Sequence, residues 1–330
     1  MQTTTEQTYT AKTIFQKMLP GLALGFLVLL VMGFLGDLTA VLSAIRSFDW
    51  EIFPLVILFT LFNYTIRFLK WQFYQKQIGV KNFPWYQSAR LFVAGFPLAV
   101  TPGKVGEVLK AVWLQQKTGV PVGRGVSIVV AERISDGLAV LLLSTLGVIA
   151  YPQYWPAFVI ILGVLLAAII ISQIKPLAYW LLGLTRHIPL VKRFTGALTE
   201  FYEGSFTVFR PWPTLLSVGM GMVSWFGEGV GFYYILVALG LPAGKETLAN
   251  AVFILAFSTV VGAVSALPGG LGAAEASIAG MLALVVKVSS TTASVATLLI
   301  RLATLWFGVG LGLLVWLFSL EYLGFIKKKE

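Results

Sequence analysis

Two Pro-Gly-x-x-Gly turns interrupt apolar runs of this chain, one at Pro102, Gly103 and Gly106, the other at Pro268, Gly269 and Gly272. Proline lacks a backbone donor and glycine is a poor helix former, so each turn breaks a helix. Broken backbone at membrane depth is tolerated only where protein or a water-filled cavity covers it. A glutamate follows each turn, Glu107 and Glu275, and an arginine follows each glutamate by 26 residues, Arg133 and Arg301. The repeated turn and the repeated charge pair together limit the chain to folds that bury both.

The apolar runs themselves set the class. Of 330 residues, 58% are hydrophobic and 12% are charged, about half the charged share of a soluble domain. The expected fold is an all-α integral membrane protein, a single membrane domain over 1–330. It would have about six full transmembrane helices and two re-entrant, broken-helix hairpins in an inverted repeat. The helices are expected at 19–36, 52–71, 126–150, 158–174, 215–239 and 292–318. The first broken element joins limbs at 89–100 and 105–114, both shorter than the ~20 residues a span needs. The second joins 248–267 to 271–286. Repeat one covers 52–150, repeat two covers 215–318, and 175–213 is a cytoplasmic amphipathic linker containing a helix that lies in the interface.

Charge orients this arrangement. The segments assigned to the inside hold 19 of the 24 lysines and arginines, including those from Arg67 to Arg90 and from Lys104 to Arg124. The outside holds Arg46, Lys245 and Lys287. The positive-inside rule then puts both termini in the cytoplasm and the chain in the cytoplasmic membrane. The net charge of +10 reads as contact with anionic headgroups, not nucleic acid. The chain has no cysteine, which excludes thiolate chemistry, and its single histidine, His187, sits in a basic polar stretch between apolar segments, which argues against a histidine metal cluster or a Ser-His-Asp triad in the bilayer core. No nucleotide or zinc motif is present, and no cofactor or metal is expected.

Glu107, Glu132, Arg133, Asp136, Glu228, Glu275 and Arg301 fall in membrane segments. An ionised group at a helix centre costs ~2.5–3.5 kcal/mol on insertion scales, so these side chains must face the interior and pair. The common spacing predicts Arg133 with Glu107 and Arg301 with Glu275. Glu132, Arg133 and Asp136 form an acid-base-acid cluster on one helix, and Glu228 has no evident partner. Glu132, Asp136 and Glu228 are therefore coupling or structural charges. Arginine presents a planar fork suited to phosphate oxygens. A helix N-terminus after each turn presents free N–H groups. The expected substrate-binding set is Arg133, Arg301, Glu107 and Glu275 with Gly103, Lys104, Gly106, Gly269, Gly270 and Gly272. Gly219, Gly221, Gly308, Gly310 and Gly312 are expected at close helix contacts.

The stretch 101–107, Thr-Pro-Gly-Lys-Val-Gly-Glu, followed by Ala131-Glu132-Arg133-Ile134-Ser135-Asp136, resembles one signature of the lysylphosphatidylglycerol synthase transmembrane-region family. The stretch 267–275, Leu-Pro-Gly-Gly-Leu-Gly-Ala-Ala-Glu, followed by Arg301, resembles its second. The resemblance covers most of the chain and lacks the family's soluble aminoacyl-transferase domain. It implies a stand-alone flippase-like module that moves an anionic, phosphate-bearing lipid between leaflets. That lipid would be a phospholipid or a polyprenyl-phosphate-linked sugar. The alternatives are a membrane-embedded transferase using Glu107, Glu275 or Asp136 as base, and a non-transporting scaffold. A lipid with an anionic headgroup is the expected partner; a second copy of the chain or a lipid-pathway enzyme stays open.

Overall fold

The computed structural model describes residues 38–101, 106–148, 155–185 and 192–324, with positions 19, 21, 23–25 and 27. Both tails, most of the first expected helix, His187, and the Pro102, Gly103 and Lys104 of the first turn lie outside them. All regular structure among the described residues is helical.

In chain order the helices are α1 (Leu38–Ser47), α2 (Phe53–Gln77), α3 (Trp85–Ala94), α4 (Val108–Thr118), α5 (Val122–Val148), α6 (Trp155–Ser172) and α7 (Lys175–Thr185). There follow α8 (Thr195–Val208), α9 (Pro211–Ala238), α10 (Lys245–Val264), α11 (Ala273–Met281), α12 (Ser290–Arg301) and α13 (Phe307–Leu317). Five described stretches are long and apolar enough to cross a membrane: Phe53–Gln77, Pro211–Ala238, Lys245–Val264, Pro268–Val286 and Ser290–Leu317. A bent pair, Phe158–Ser172 with Lys175–Leu184, adds a sixth path broken by 84°. Helix α5 has 27 residues but carries Glu132, Arg133 and Asp136 in its middle. Exposed Leu58, Val159, Ile160, Val164, Val223, Leu284 and Leu317 cover the outside with apolar side chains, a surface suited to lipid and not to water.

The two broken elements differ in length. Around the first turn, α3 has 10 residues and α4 has 11, about half a bilayer core at ~1.5 Å per residue. Around the second, the limbs Lys245–Val264 and Pro268–Val286 have 20 and 19 residues, each close to a full span. The short form fits a re-entrant hairpin; the long form is a pair of span-length helices joined at the turn. The cause is apolar length, since 248–286 carries only Glu275 as an acid and is interrupted by no polar linker.

Two further expectations are corrected, one at Arg46 and one at the contact glycines. The stretch around Arg46, between the first two expected helices and given no helix of its own, is helical over Leu38–Ser47. The linker holds two described helices, α7 and α8. Within it α8 packs along α5, where a Cβ on Gly204 would lie 2.2 Å from Ser127 Oγ and Arg124 Nε donates to Glu200 Oε2 at 2.6 Å. Helix α7 leaves Tyr179, Trp180, Leu181 and Leu184 exposed. Of the five expected contact glycines, Gly221, Gly308 and Gly312 are crowded by Ala139, Tyr64 and Pro97, whereas Gly219 and Gly310 have nothing within 4 Å.

The turns meet. A 3-10 turn over Phe96–Val100 leads out of α3 and packs on a second one, Pro268–Gly270, between α10 and α11. Gly269 and Gly270 take φ of +61° and +68°, a region costly for residues with a Cβ. A Cβ on Gly270 would also stand 3.0 Å from Gly262 Cα. Gly270→Ala should therefore lower stability by about 1–3 kcal/mol, read as an earlier thermal unfolding midpoint in detergent. Gly280→Ala, at a site with nothing within 4 Å, should leave that midpoint unchanged or raise it.

Candidate functional site

Helix α2 brings Tyr64, Arg67 and Lys70 to one face, three residues apart. Helix α9 brings Ser224, Trp225 and Glu228 against them. The two helices are held close by a buried hydrogen bond from Asn63 Nδ2 to the Ser224 carbonyl at 3.1 Å and by Gly227, whose absent Cβ makes room for Phe62. Helices α5 and α12 supply Arg133, Asp136 and Arg301, and α4 supplies Lys110. Between them lies a cavity of about 390 Å³, lined by Arg67, Lys110, Arg133, Arg301, Glu107, Asp136 and Glu228 among apolar walls. That volume is in the range of small-ligand pockets, roughly 300–1,000 Å³.

The repeated spacing forms two ion pairs. Arg133 Nε stands 3.0 Å from Glu107 Oε2, and Arg301 Nε stands 2.6 Å from Glu275 Oε1. The two pairs are not equivalent. Glu275 also accepts the Gly272 N–H at 2.7 Å, and Arg301 Nη2 donates to the Gly269 carbonyl at 3.0 Å. Arg301 and Glu275 thus clamp both ends of the second turn. They also change the expected role of that turn: the N–H of Gly272, read as free for an anion, is satisfied by the chain's own carboxylate. Directly after Arg301 the helix widens into a π stretch, Leu302–Trp306, and Tyr64 donates its hydroxyl to the Thr304 carbonyl at 2.6 Å. Arg133 is more open, with 36% of its side chain exposed against 13% for Arg301. Gly106 is held by Thr101, whose Oγ1 accepts its N–H at 3.0 Å.

The acid-base-acid cluster on α5 is resolved by cations from elsewhere. Glu132 accepts from Lys110 Nζ at 2.9 Å, and Lys110 also lies 4.3 Å from the centre of the Trp71 ring. Asp136 pairs with Lys70, which is 1% exposed and also donates to Ser135 Oγ at 3.3 Å. Arg67 Nε approaches the other Asp136 oxygen to 3.7 Å. Arg67, Lys70 and Lys110, which the sequence places on the positively charged inside flank, lie instead among these acids, Lys70 and Lys110 buried and Arg67 half-buried. Glu228 is 7% exposed and makes no ion pair or hydrogen bond among the described residues. No cluster of three acids or histidines suited to a metal ion occurs among the described residues.

The profile of the Lysylphosphatidylglycerol synthase TM region family matches residues 21–312. The chain is similar to two UPF0104 membrane proteins of Methanothermobacter thermautotrophicus. One is 26% identical over 294 residues, covering 82% of this chain and 84% of that protein. The other is 26% identical over 229 residues, covering 61% and 65%. A UPF0104 membrane protein of Methanocaldococcus jannaschii is 27% identical over 179 residues, covering 54% of this chain and 74% of that protein. No solved structure matches the chain.

A clamp and a ligand site respond differently to substitution. Arg301→Met leaves the buried Glu275 without its cation and should cost about 3–5 kcal/mol. The double change Arg301→Met with Glu275→Gln removes both charges and should recover part of that loss. Denaturation midpoints of the three proteins in one detergent measure both effects.

Proposed function

The chain belongs to the Lysylphosphatidylglycerol synthase TM region family, and on that premise we propose that it is a flippase. It would carry an anionic, phosphate-bearing lipid between the leaflets of the cytoplasmic membrane. The observation that carries this reading is the cavity itself. Four cations, Arg67, Lys110, Arg133 and Arg301, line a space of about 390 Å³ within a bundle whose outer surface is apolar. A phosphate entering it would replace part of its hydration with guanidinium and ammonium donors, the strong, charge-assisted kind of hydrogen bond. The acyl chains would stay in the lipid outside.

The mechanism follows from the same pairs. Arg133, open on one side and held by Glu107 on the other, is preoriented for the phosphate. Arg301 and Glu275 keep the second turn rigid while the α10–α11 limbs move against the α3–α4 limbs. The two units, 52–150 and 215–318, act as an inverted repeat, so the contact between Phe96–Val100 and Pro268–Gly270 is the pivot of an alternating-access motion. Both termini face the cytoplasm.

Reconstitution into liposomes containing a fluorescent phosphatidylglycerol tests the proposal through dithionite quenching of the inner-leaflet label. The wild-type chain should expose that label faster than empty liposomes. The charge-neutral pair change Arg133→Met with Glu107→Gln should slow exposure at least about tenfold, the loss of roughly one charge-assisted contact. Arg124→Gln, outside the cavity on the α5–α8 contact, should leave the rate unchanged. A wild-type rate equal to that of empty liposomes contradicts the proposal.

A further inference from the structure

Among the four cations lining the cavity, three have a carboxylate oxygen within hydrogen-bond distance. Lys110 has Glu132 at 2.9 Å, Arg133 has Glu107 at 3.0 Å and Arg301 has Glu275 at 2.6 Å. Arg67 does not. Its approach to Asp136 is 3.7 Å, and Asp136 is already neutralised by Lys70. No hydrogen bond to the Arg67 guanidinium exists among the described residues. The apolar face of Trp225, whose ring centre is 6.0 Å from the Arg67 guanidinium carbon, forms one side of its surroundings. An arginine carries five N–H donors, and those of Arg67, whose side chain is 16% exposed and lines the cavity, are free for a ligand.

The acids show the mirror image. Of the three carboxylates lining the cavity, Glu107 faces Arg133 and Asp136 faces Lys70, but Glu228 has no basic nitrogen within 4 Å among the described residues. Arg67 and Arg301 are the cations whose fields reach it. Arg67 and Glu228 stand on α2 and α9, the two helices pinned together by the Asn63–Ser224 hydrogen bond. They line one cavity without closing into an ion pair. Each is left with unused capacity of opposite sign.

We infer that Arg67 and Glu228 are a matched receptor for one headgroup: Arg67 takes the phosphodiester anion, and Glu228 accepts a hydrogen bond from an O–H or N–H donor on the headgroup beyond it. This deepens the reading of the cavity as a lipid headgroup site and rests on it. The selected class is a phospholipid whose headgroup bears a hydroxyl or an ammonium next to the phosphate. A phosphodiester with no donor would satisfy Arg67 and leave Glu228 unpaired, so it binds more weakly. Arg301, already engaged with Glu275 and the Gly269 carbonyl, supplies field and rigidity, while Arg67 joins the half-open Arg133 in contacting the phosphate.

Arg67→Gln leaves Asp136 paired with Lys70, and Glu228→Gln breaks no ion pair among the described residues, so neither substitution strands a paired charge. Unchanged thermal midpoints of Arg67→Gln and Glu228→Gln verify this. Binding is measured by titration calorimetry on the full chain in detergent with three short-chain lipids: dihexanoyl phosphatidylglycerol, dihexanoyl phosphatidylethanolamine and dihexanoyl phosphatidylmethanol, the last lacking any donor. The wild type should bind at least one of the first two about tenfold more tightly than phosphatidylmethanol. Preference for phosphatidylethanolamine identifies the donor as an ammonium, and preference for phosphatidylglycerol identifies it as a hydroxyl. Arg67→Gln should weaken all three roughly tenfold. Glu228→Gln should weaken the preferred lipid and narrow its margin over phosphatidylmethanol. Equal binding of the three lipids by the wild type, or unaltered binding by Arg67→Gln, overturns the inference. Liposomes carrying wild-type protein separate this failure from that of the wider reading: the latter fails only if wild-type protein moves no lipid.

Discussion

Everything in this fold is arranged around charge that has been taken out of water and must be neutralised inside the protein. Arg67, Lys70, Lys110, Arg133 and Arg301 are drawn in opposite Glu107, Glu132, Asp136, Glu228 and Glu275, so the described interior charges balance in number. An unpaired ion in such surroundings costs several kcal/mol, enough to decide the fate of a protein whose net stability is roughly 5–15 kcal/mol. The pairs therefore dictate which helices must touch. Glu107 with Arg133 and Glu132 with Lys110 bind α4 to α5, and Asp136 with Lys70 binds α5 to α2. Glu275 with Arg301 binds α11 to α12 and, through Gly269 and Gly272, fixes the second turn.

The charge network also gives the cavity its chemistry. Where a pair is closed from both sides, as at Lys70 and Asp136 or at Arg301 and Glu275, the groups act as fasteners. Where one side is left open, as at Arg133, or where a group makes no hydrogen bond among the described residues, as at Arg67 and Glu228, the same need for compensation becomes affinity for a ligand. The division follows from geometry: Arg301 spends two nitrogens on a carboxylate and a carbonyl, while Arg67 has none engaged among the described residues.

Part of this was legible in the sequence. Equal spacing after two like turns named the partners Glu107 with Arg133 and Glu275 with Arg301, because a shared local geometry puts the same two positions side by side. Apolar length located α2, α5, α9 and the α12–α13 span within a few residues. What escaped was the other half of the network. The interior charges read from the sequence were five acids against two arginines, a surplus of three negative charges that no membrane interior tolerates. Arg67, Lys70 and Lys110 supply the missing three cations. They were missed because a basic residue near a helix end reads equally well as an inside flank, and only long-range packing distinguishes the two. The inventory itself held the signal: an acid surplus of three in apolar segments requires three more cations to turn inward. The mixed composition of the α7–α8 region fits an interfacial helix and a helix packed on α5 alike, so the packing of α8 along α5 was not legible in it.

The most direct test of this account is a structure of the chain in lipid nanodiscs containing native phospholipids, at a resolution that distinguishes a headgroup from water. The account requires headgroup density inside the cavity bounded by Arg67, Arg133 and Glu228, its phosphate against the arginines and its acyl chains leading out to the bilayer. A cavity holding only water, or closed by its own side chains while every lipid lies on the outer surface, would contradict it.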